Sequence, residues 1–366
     1  MNIAIYHPNM HFIGGGETVA LTIASILSKN NDVTIFVSKK PDIKKLEQFF
    51  GLNLKNVKFE VFGKTITNLP SFSSFKPSMY VETALKHLNN KKYDVVIDTC
   101  SNGLFNKKIT PKTICYIHFP NFTKQKKGML SALNSKIIKQ EDMFKYDKII
   151  CNSKFTEETV NKLTTKKTEV IYPPVKISEI NPRRKKGKII TIGRYSPEKK
   201  LEVMIETFKE LNKEFPNFSL EIVGSYRAET DKSYFNKLKK LSKGHNIILT
   251  KNINHEEVLI KLEESSIYWH ARGYGETNPI EYENFGITTV EAMAAGCLPI
   301  VINLGAQPEI ITNSVNGYTW ETTEELLSTT RKAIKQPSKA IISRAMKDSK
   351  KYDTKIFTDE ILNLIN

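Results

Sequence analysis

The sequence predicts an α/β protein built of two doubly wound parallel-sheet domains facing a cleft. Short β-branched apolar runs alternate with helical patterns along most of the chain. Those runs are mostly continuous in apolar character, as expected of strands covered on both faces. A proline-bearing break, Tyr172-Pro173-Pro174-Val175, separates two successive βαβ series. The 366 residues suit two domains of ordinary size. The expected division is 1–176, 177–345, and a C-terminal helix over 346–366 that crosses back to the N-terminal domain.

In the first series, strands are expected at residues 3–6, 33–37, 57–61, 95–98, 113–118 and 148–151. Residues 19–27 are apolar at helical spacing, and 156–163 read as a helix capped by Ser153. The basic run Arg183-Arg184-Lys185-Lys186-Gly187 reads as a linker. The second series has strands at 188–193, 219–224, 246–249, 266–270 and 298–302, with helices at 200–215 and 290–295. Residues 339–366 read as helical.

Composition excludes several classes. No apolar stretch reaches the roughly 18 residues of a membrane span, and residues 1–6 read as a strand entering a fold, not as a signal peptide. Cys100, Cys115, Cys151 and Cys297 are isolated and lie in or beside apolar runs, which suits reduced thiols in a cytoplasmic protein. No Asp-x-Asp and no His/Cys cluster at ligand spacing occurs, so no bound metal is expected. The net charge is +16, and its distribution is uneven. Residues 1–180 hold 27 basic and 15 acidic residues, against 28 and 24 in 181–366. The basic half should attract an anionic surface, either nucleic acid or membrane. A nucleic-acid module would show stacking platforms or a known binding fold, and neither is legible.

Three segments carry the chemistry. Residues 7–17, HPNMHFIGGGE, follow the first strand and lead into the first helix. Gly14, Gly15 and Gly16 let the backbone approach a ligand, and the helix start offers N–H groups to an anion. A dinucleotide turn is disfavoured, because Val19 stands where G-x-G-x-x-G needs its last glycine. In residues 283–291, ENFGITTVE, the helix is expected to begin at Val290, placing Glu291 in its first turn and Glu283 in the loop before it. N–H groups at 286–288 would then hold a diphosphate, with one carboxylate toward a sugar and the other toward a ribose. Arg194 and Lys199 follow the strand end Ile192-Gly193. Ligands collect at that edge of open α/β sheets, and two cations there suit a diphosphate leaving group.

Together these segments resemble the retaining family-4 glycosyltransferases of the GT-B fold, with motifs from Gly14 to about Gln307. The combinations GGGE, YIHFP, NSKFT, IYPPV and ENFGITTVEAMAAG are further similar to the α-1,2-mannosyltransferases that extend dolichol-linked oligosaccharides from GDP-mannose. The membrane segment at the N-terminus of the eukaryotic members has no counterpart here. The resemblance implies two Rossmann-like domains and catalytic roles for His118, Glu283, Arg194 and Lys199. It implies that Gly14, Gly15 and Gly16 lie at the donor phosphates and that Arg194 and Lys199 bind the diphosphate. It also implies that Glu283 contacts the transferred sugar, that Phe285, Gly286, Ile287 and Thr288 lie beside it, and that Glu291 holds the ribose. His118 reads equally as a satisfied strand-end residue, and its YIHFP context favours the functional role.

The implied activity is metal-independent transfer of mannose from GDP-mannose to a glycan or lipid-linked acceptor. A UDP-sugar enzyme of the same family and a sugar-nucleotide epimerase remain open at this point. Residues 69–80 and 122–139 interleave aromatic or aliphatic residues with Lys. With the basic N-terminal half, they point to a peripheral protein on an anionic cytosolic membrane face.

Overall fold

The computed structural model describes residues 1–10, 14–62, 88, 93–100, 112–120, 146–225 and 229–365. The expected membrane-facing stretches 69–80 and 122–139 lie outside the described residues. The chain forms two compact units, Met1–Pro174 with Phe357–Asn366, and Val175–Ile356.

The first unit is built on seven parallel strands: β1 (Asn2–Tyr6), β2 (Asp32–Val37), β3 (Val57–Val61), β4 (Val95–Asp98), β5 (Lys112–Ile117), β6 (Lys148–Cys151) and β7 (Thr168–Val170). Their order is β3-β2-β1-β4-β5-β6-β7. The direction of winding therefore reverses between β1 and β4, where a doubly wound sheet opens a crevice at its carboxyl edge. All four residues of β4 and the last four of β1 are buried, as continuous apolar runs require. The helix Gly15–Leu27 buries Val19, Leu21, Ile23 and Leu27 against this sheet's core.

The second unit repeats the plan with β8 (Lys186–Ile192), β9 (Ser219–Gly224), β10 (Ile247–Lys251), β11 (Ser265–His270), β12 (Leu298–Ile302) and β13 (Tyr318–Trp320). The order β10-β9-β8-β11-β12-β13 is again parallel throughout and reverses between β8 and β11. The helix Leu201–Glu214 covers one face with Met204, Ile205, Phe208 and Leu211. Among the described residues no helix is long and apolar enough to cross a membrane.

Three expectations need correction. The basic run at 183–187 is not a free linker. Arg183 pairs with the buried Glu263 at 2.8 Å, Lys185 donates to the carbonyls of Glu263 and Ala295, and β8 already begins at Lys186. Lys185 thereby caps the carboxyl ends of two helices, where backbone carbonyls lack partners. The helix expected from Val290 begins at Ile287, so Glu291 lies in its second turn. The helical tail divides into Lys339–Ser349 and Thr354–Ile365 around the turn Lys350–Tyr352.

Candidate active site

Each unit gathers polar residues at its own switch point. In the first unit, Gly14 has an extended backbone, and its carbonyl accepts from the Thr18 N–H and hydroxyl, both at 3.0 Å. The helix Gly15–Leu27 then starts with Glu17 in its first turn, Oε1 lying 3.8 Å from His7 Nε2. Thr99 Oγ1 donates to the Tyr6 carbonyl and lies 2.8 Å from His7 Nδ1. Since that hydroxyl has only one proton, His7 must donate from Nδ1. His118 stands one residue beyond β5. A Cβ on Gly16 would lie 3.5 Å from His118 Nε2 and 3.8 Å from His7 Cε1, so this glycine borders both imidazoles. Burial, reinforced by His7 and opposed by Glu17, pushes the His118 pKa down to about 4. Its imidazole is therefore neutral at physiological pH. Ser153 does cap its helix, accepting from the Thr156 N–H at 3.1 Å, and Thr156 Oγ1 donates to the His118 carbonyl.

In the second unit, the chain leaves β8 through Gly193 into Arg194 and the short turn Pro197–Lys199. Gly224 closes against this segment so tightly that a Cβ would stand 2.0 Å from the Gly193 carbonyl oxygen. The turn brings Lys199 Nζ to 2.6 Å from Glu283 Oε2. Glu283 arrives from the segment between β11 and the helix Ile287–Ala294, and its backbone carbonyl accepts from the Ala306 N–H. Two residues beyond the expected set complete the cluster. His270 Nε2 lies 3.1 Å from Oε2, and Arg272 Nη1 lies 3.4 Å from Oε1. Burial alone would raise the Glu283 carboxyl. Lys199, Arg272 and the His270 hydrogen bond outweigh it and hold the pKa well below the ordinary carboxylate value. Lys199 is itself lowered by burial and the neighbouring guanidinium groups, against the pull of Glu283.

Arg194 is near but differently engaged, pairing with Glu198 at 2.6 Å. Lys200 adopts a left-handed backbone and reaches Glu276 at 2.6 Å. Phe285, Gly286, Ile287 and Thr288 form the approach to the helix Ile287–Ala294, whose Thr288 hydroxyl lies 2.8 Å from the Tyr268 hydroxyl. Glu291 is not in the Lys199–Glu283 cluster. It is buried beside His255, 3.8 Å away, and burial pushes its pKa up to about 8. Of the expected second-unit residues, the fold therefore joins Lys199 to Glu283 directly, keeps Arg194 at their margin and sets Glu291 apart. His270 and Arg272 have one legible signal, a histidine closing an apolar strand. Among the described residues, no group of three or more His, Cys, Asp or Glu could hold a metal ion.

The family model for "Glycosyltransferase Family 4" matches residues 13–179, and that for "Glycosyl transferases group 1" matches 175–351. The human α-1,3/1,6-mannosyltransferase ALG2 is 24% identical over 76% of this chain and 74% of its own length. The GDP-Man:Man(3)GlcNAc(2)-PP-Dol α-1,2-mannosyltransferase of Caenorhabditis elegans is 22% identical over 97% of this chain and 87% of its own. Sucrose-phosphate synthase from Thermosynechococcus elongatus superposes with a TM-score of 0.78 at 14% identity, covering 99% and 98% of the two chains. Anabaena HepE in complex with UDP-glucose gives 0.76 at 16%, covering 100% and 99%. Both solved structures share the fold. With residues 13–351 matched in two adjoining pieces, the chain belongs to the GT-B glycosyltransferases, family 4 in its N-terminal domain and group 1 in its C-terminal domain.

Proposed function

We propose that the protein is a retaining α-mannosyltransferase that moves mannose from GDP-mannose to a hydroxyl of a lipid-linked oligosaccharide or related glycan. The mannosyltransferases among its relatives support the sugar and the acceptor class. The observation that carries the chemistry is the part-buried Glu283–Lys199 pair at the second sheet's switch point. A carboxylate there can hold sugar hydroxyls while the ammonium turns to a phosphate oxygen.

In this reading Arg194, Lys199 and the N–H groups opening the helix Ile287–Ala294 neutralise the departing diphosphate. The bond from the anomeric carbon to the phosphate oxygen breaks, and the acceptor oxygen bonds to that carbon on the same face. The acceptor proton passes to the leaving phosphate oxygen. No metal is required. Gly14, Gly15 and Gly16 border the donor phosphates, His118 the donor sugar, and Glu291 the ribose. In the same reading, the basic N-terminal half draws the protein to an anionic cytosolic membrane face. A second reading, a UDP-sugar donor, is favoured by the UDP-glucose complex of the HepE neighbour.

Thermal stabilisation by GDP, UDP, ADP and their sugar conjugates, with and without EDTA, tests both readings. A selective shift with GDP-mannose, unchanged by EDTA, is expected. A UDP-selective shift replaces the donor, and no shift with any nucleotide overturns the function. Arg194→Ala and Glu283→Ala should each lower turnover by about 100-fold or more while the protein stays folded. Wild-type turnover in either variant removes that residue from the mechanism.

A further inference from the structure

We propose that His270 is the positioning residue of Glu283: its Nε2–H holds the carboxylate in place when Lys199 engages the diphosphate. This inference rests on the donor-site reading above. His270 is the last residue of β11, at the switch between β8 and β11, and is 4% exposed. Among the described residues, Nε2 lies 3.1 Å from Glu283 Oε2, whereas Nδ1 is buried with no hydrogen-bond partner. Among those residues Glu283 thus provides the one polar attachment of this ring. An unsatisfied buried nitrogen is destabilising, a cost that an aliphatic residue closing the strand would avoid. The ring's presence therefore points to what Nε2 does.

The direction of the bond follows from charge. Glu283 is ionised beside Lys199 and Arg272, so it accepts and Nε2 carries the hydrogen. Burial, with Lys199 and Arg272 adding to it, pushes the imidazole pKa down against the pull of Glu283 and keeps the ring neutral. Oε1 is addressed by Arg272 and Oε2 is shared by Lys199 and His270. Lys199 can exchange this partner for a phosphate oxygen. His270 is fixed on a strand of the sheet and cannot follow, so its bond to Oε2 keeps the carboxylate aimed through the reaction.

The test separates ring position from mere packing. His270→Gln can present an N–H near the Nε2 position, whereas His270→Asn presents its amide near Nδ1, where no partner waits. Expected is a kcat within about threefold of wild type for His270→Gln and a loss of about 30-fold or more for His270→Asn. The thermal shift given by the nucleoside diphosphate alone should survive in both, and the extra shift given by the sugar should vanish only in His270→Asn. Equal losses in the two variants, or no loss in either, overturn the role. Absence of any nucleotide shift in wild type instead overturns the underlying function. Should His270→Asn not fold, the wild-type ring's 15N spectrum decides: a proton on Nε2 that responds to Glu283→Gln supports the role, and a proton on Nδ1 refutes it.

Discussion

Glu291 is a carboxyl whose environment works against its charge. Burial pushes its pKa up to about 8, and His255, 3.8 Å away, is itself lowered by burial and supplies little positive charge to offset this. Between the ordinary carboxylate pKa and about 8, the unfolded chain has released this proton while the folded chain retains it. Proton linkage therefore makes this contribution to stability fall as pH rises through that window. Glu291→Gln replaces the protonated acid by a neutral group of the same shape and removes the effect. The variant should gain on wild type progressively from pH 5 to pH 8, by an amount on the order of 2–4 kcal/mol at the upper end. Urea denaturation of both proteins across that range measures it. A constant difference would show that the carboxyl titrates normally. The same buried acid meeting a ribose diol can donate as well as accept, which suits the role proposed for it.

The elements that form the candidate site differ in how far they can be read from sequence. The strands of both switch points announce themselves as continuous apolar runs, and Ser153 marks its helix by cap chemistry alone. β7 and β13, three residues each, are too short to carry a period. Glu283 and Lys199 are legible as a motif, but the grip of His270 and Arg272 on Glu283 is not. They precede Glu283 by 13 and 11 residues, across an excursion containing Gly273 and Gly275, both at positive φ. The start of the helix Ile287–Ala294 is set by tertiary contact, not by local preference. Gly286 has φ +116°, and Gln307, fully buried, donates to the Phe285 carbonyl and accepts from Thr289 Oγ1. A Cβ on Gly286 would stand 2.4 Å from Gln307 Nε2, and that amide, held at both ends, cannot yield. Gly286→Ala should cost about 2–4 kcal/mol. Gly275→Ala, at φ +73° with nothing within 4 Å, should cost only about 1–2 kcal/mol. Equal midpoints in chemical denaturation would refute the role given to Gln307.

At the scale of the whole molecule, the two units differ in how the chain completes them. The second is continuous, Val175–Ile356, whereas the first requires the last ten residues, Phe357–Asn366. Phe357, Ile361, Leu364 and Ile365 lie on one face of the helix Thr354–Ile365 and join the core formed by Ile3, Ile5, Val95 and Ile114. Phe357 meets Tyr116 edge-on at 6.4 Å, and Lys112 Nζ donates to the Ile365 carbonyl at 2.8 Å. The first unit therefore cannot complete its core until the helix Thr354–Ile365 is available. Phe357→Ala leaves a cavity in that core and should cost the first unit about 3–5 kcal/mol. The chain's two tryptophans make this separable, because Trp269 and Trp320 both lie buried in the second unit. In Phe357→Ala, the loss of helical circular dichroism should acquire an earlier phase, while the tryptophan fluorescence transition keeps its midpoint. A fluorescence midpoint that falls in step with the dichroism would mean that the units unfold as one cooperative body. A dichroism curve unchanged from wild type would mean that the terminal helix contributes little to the first unit's stability.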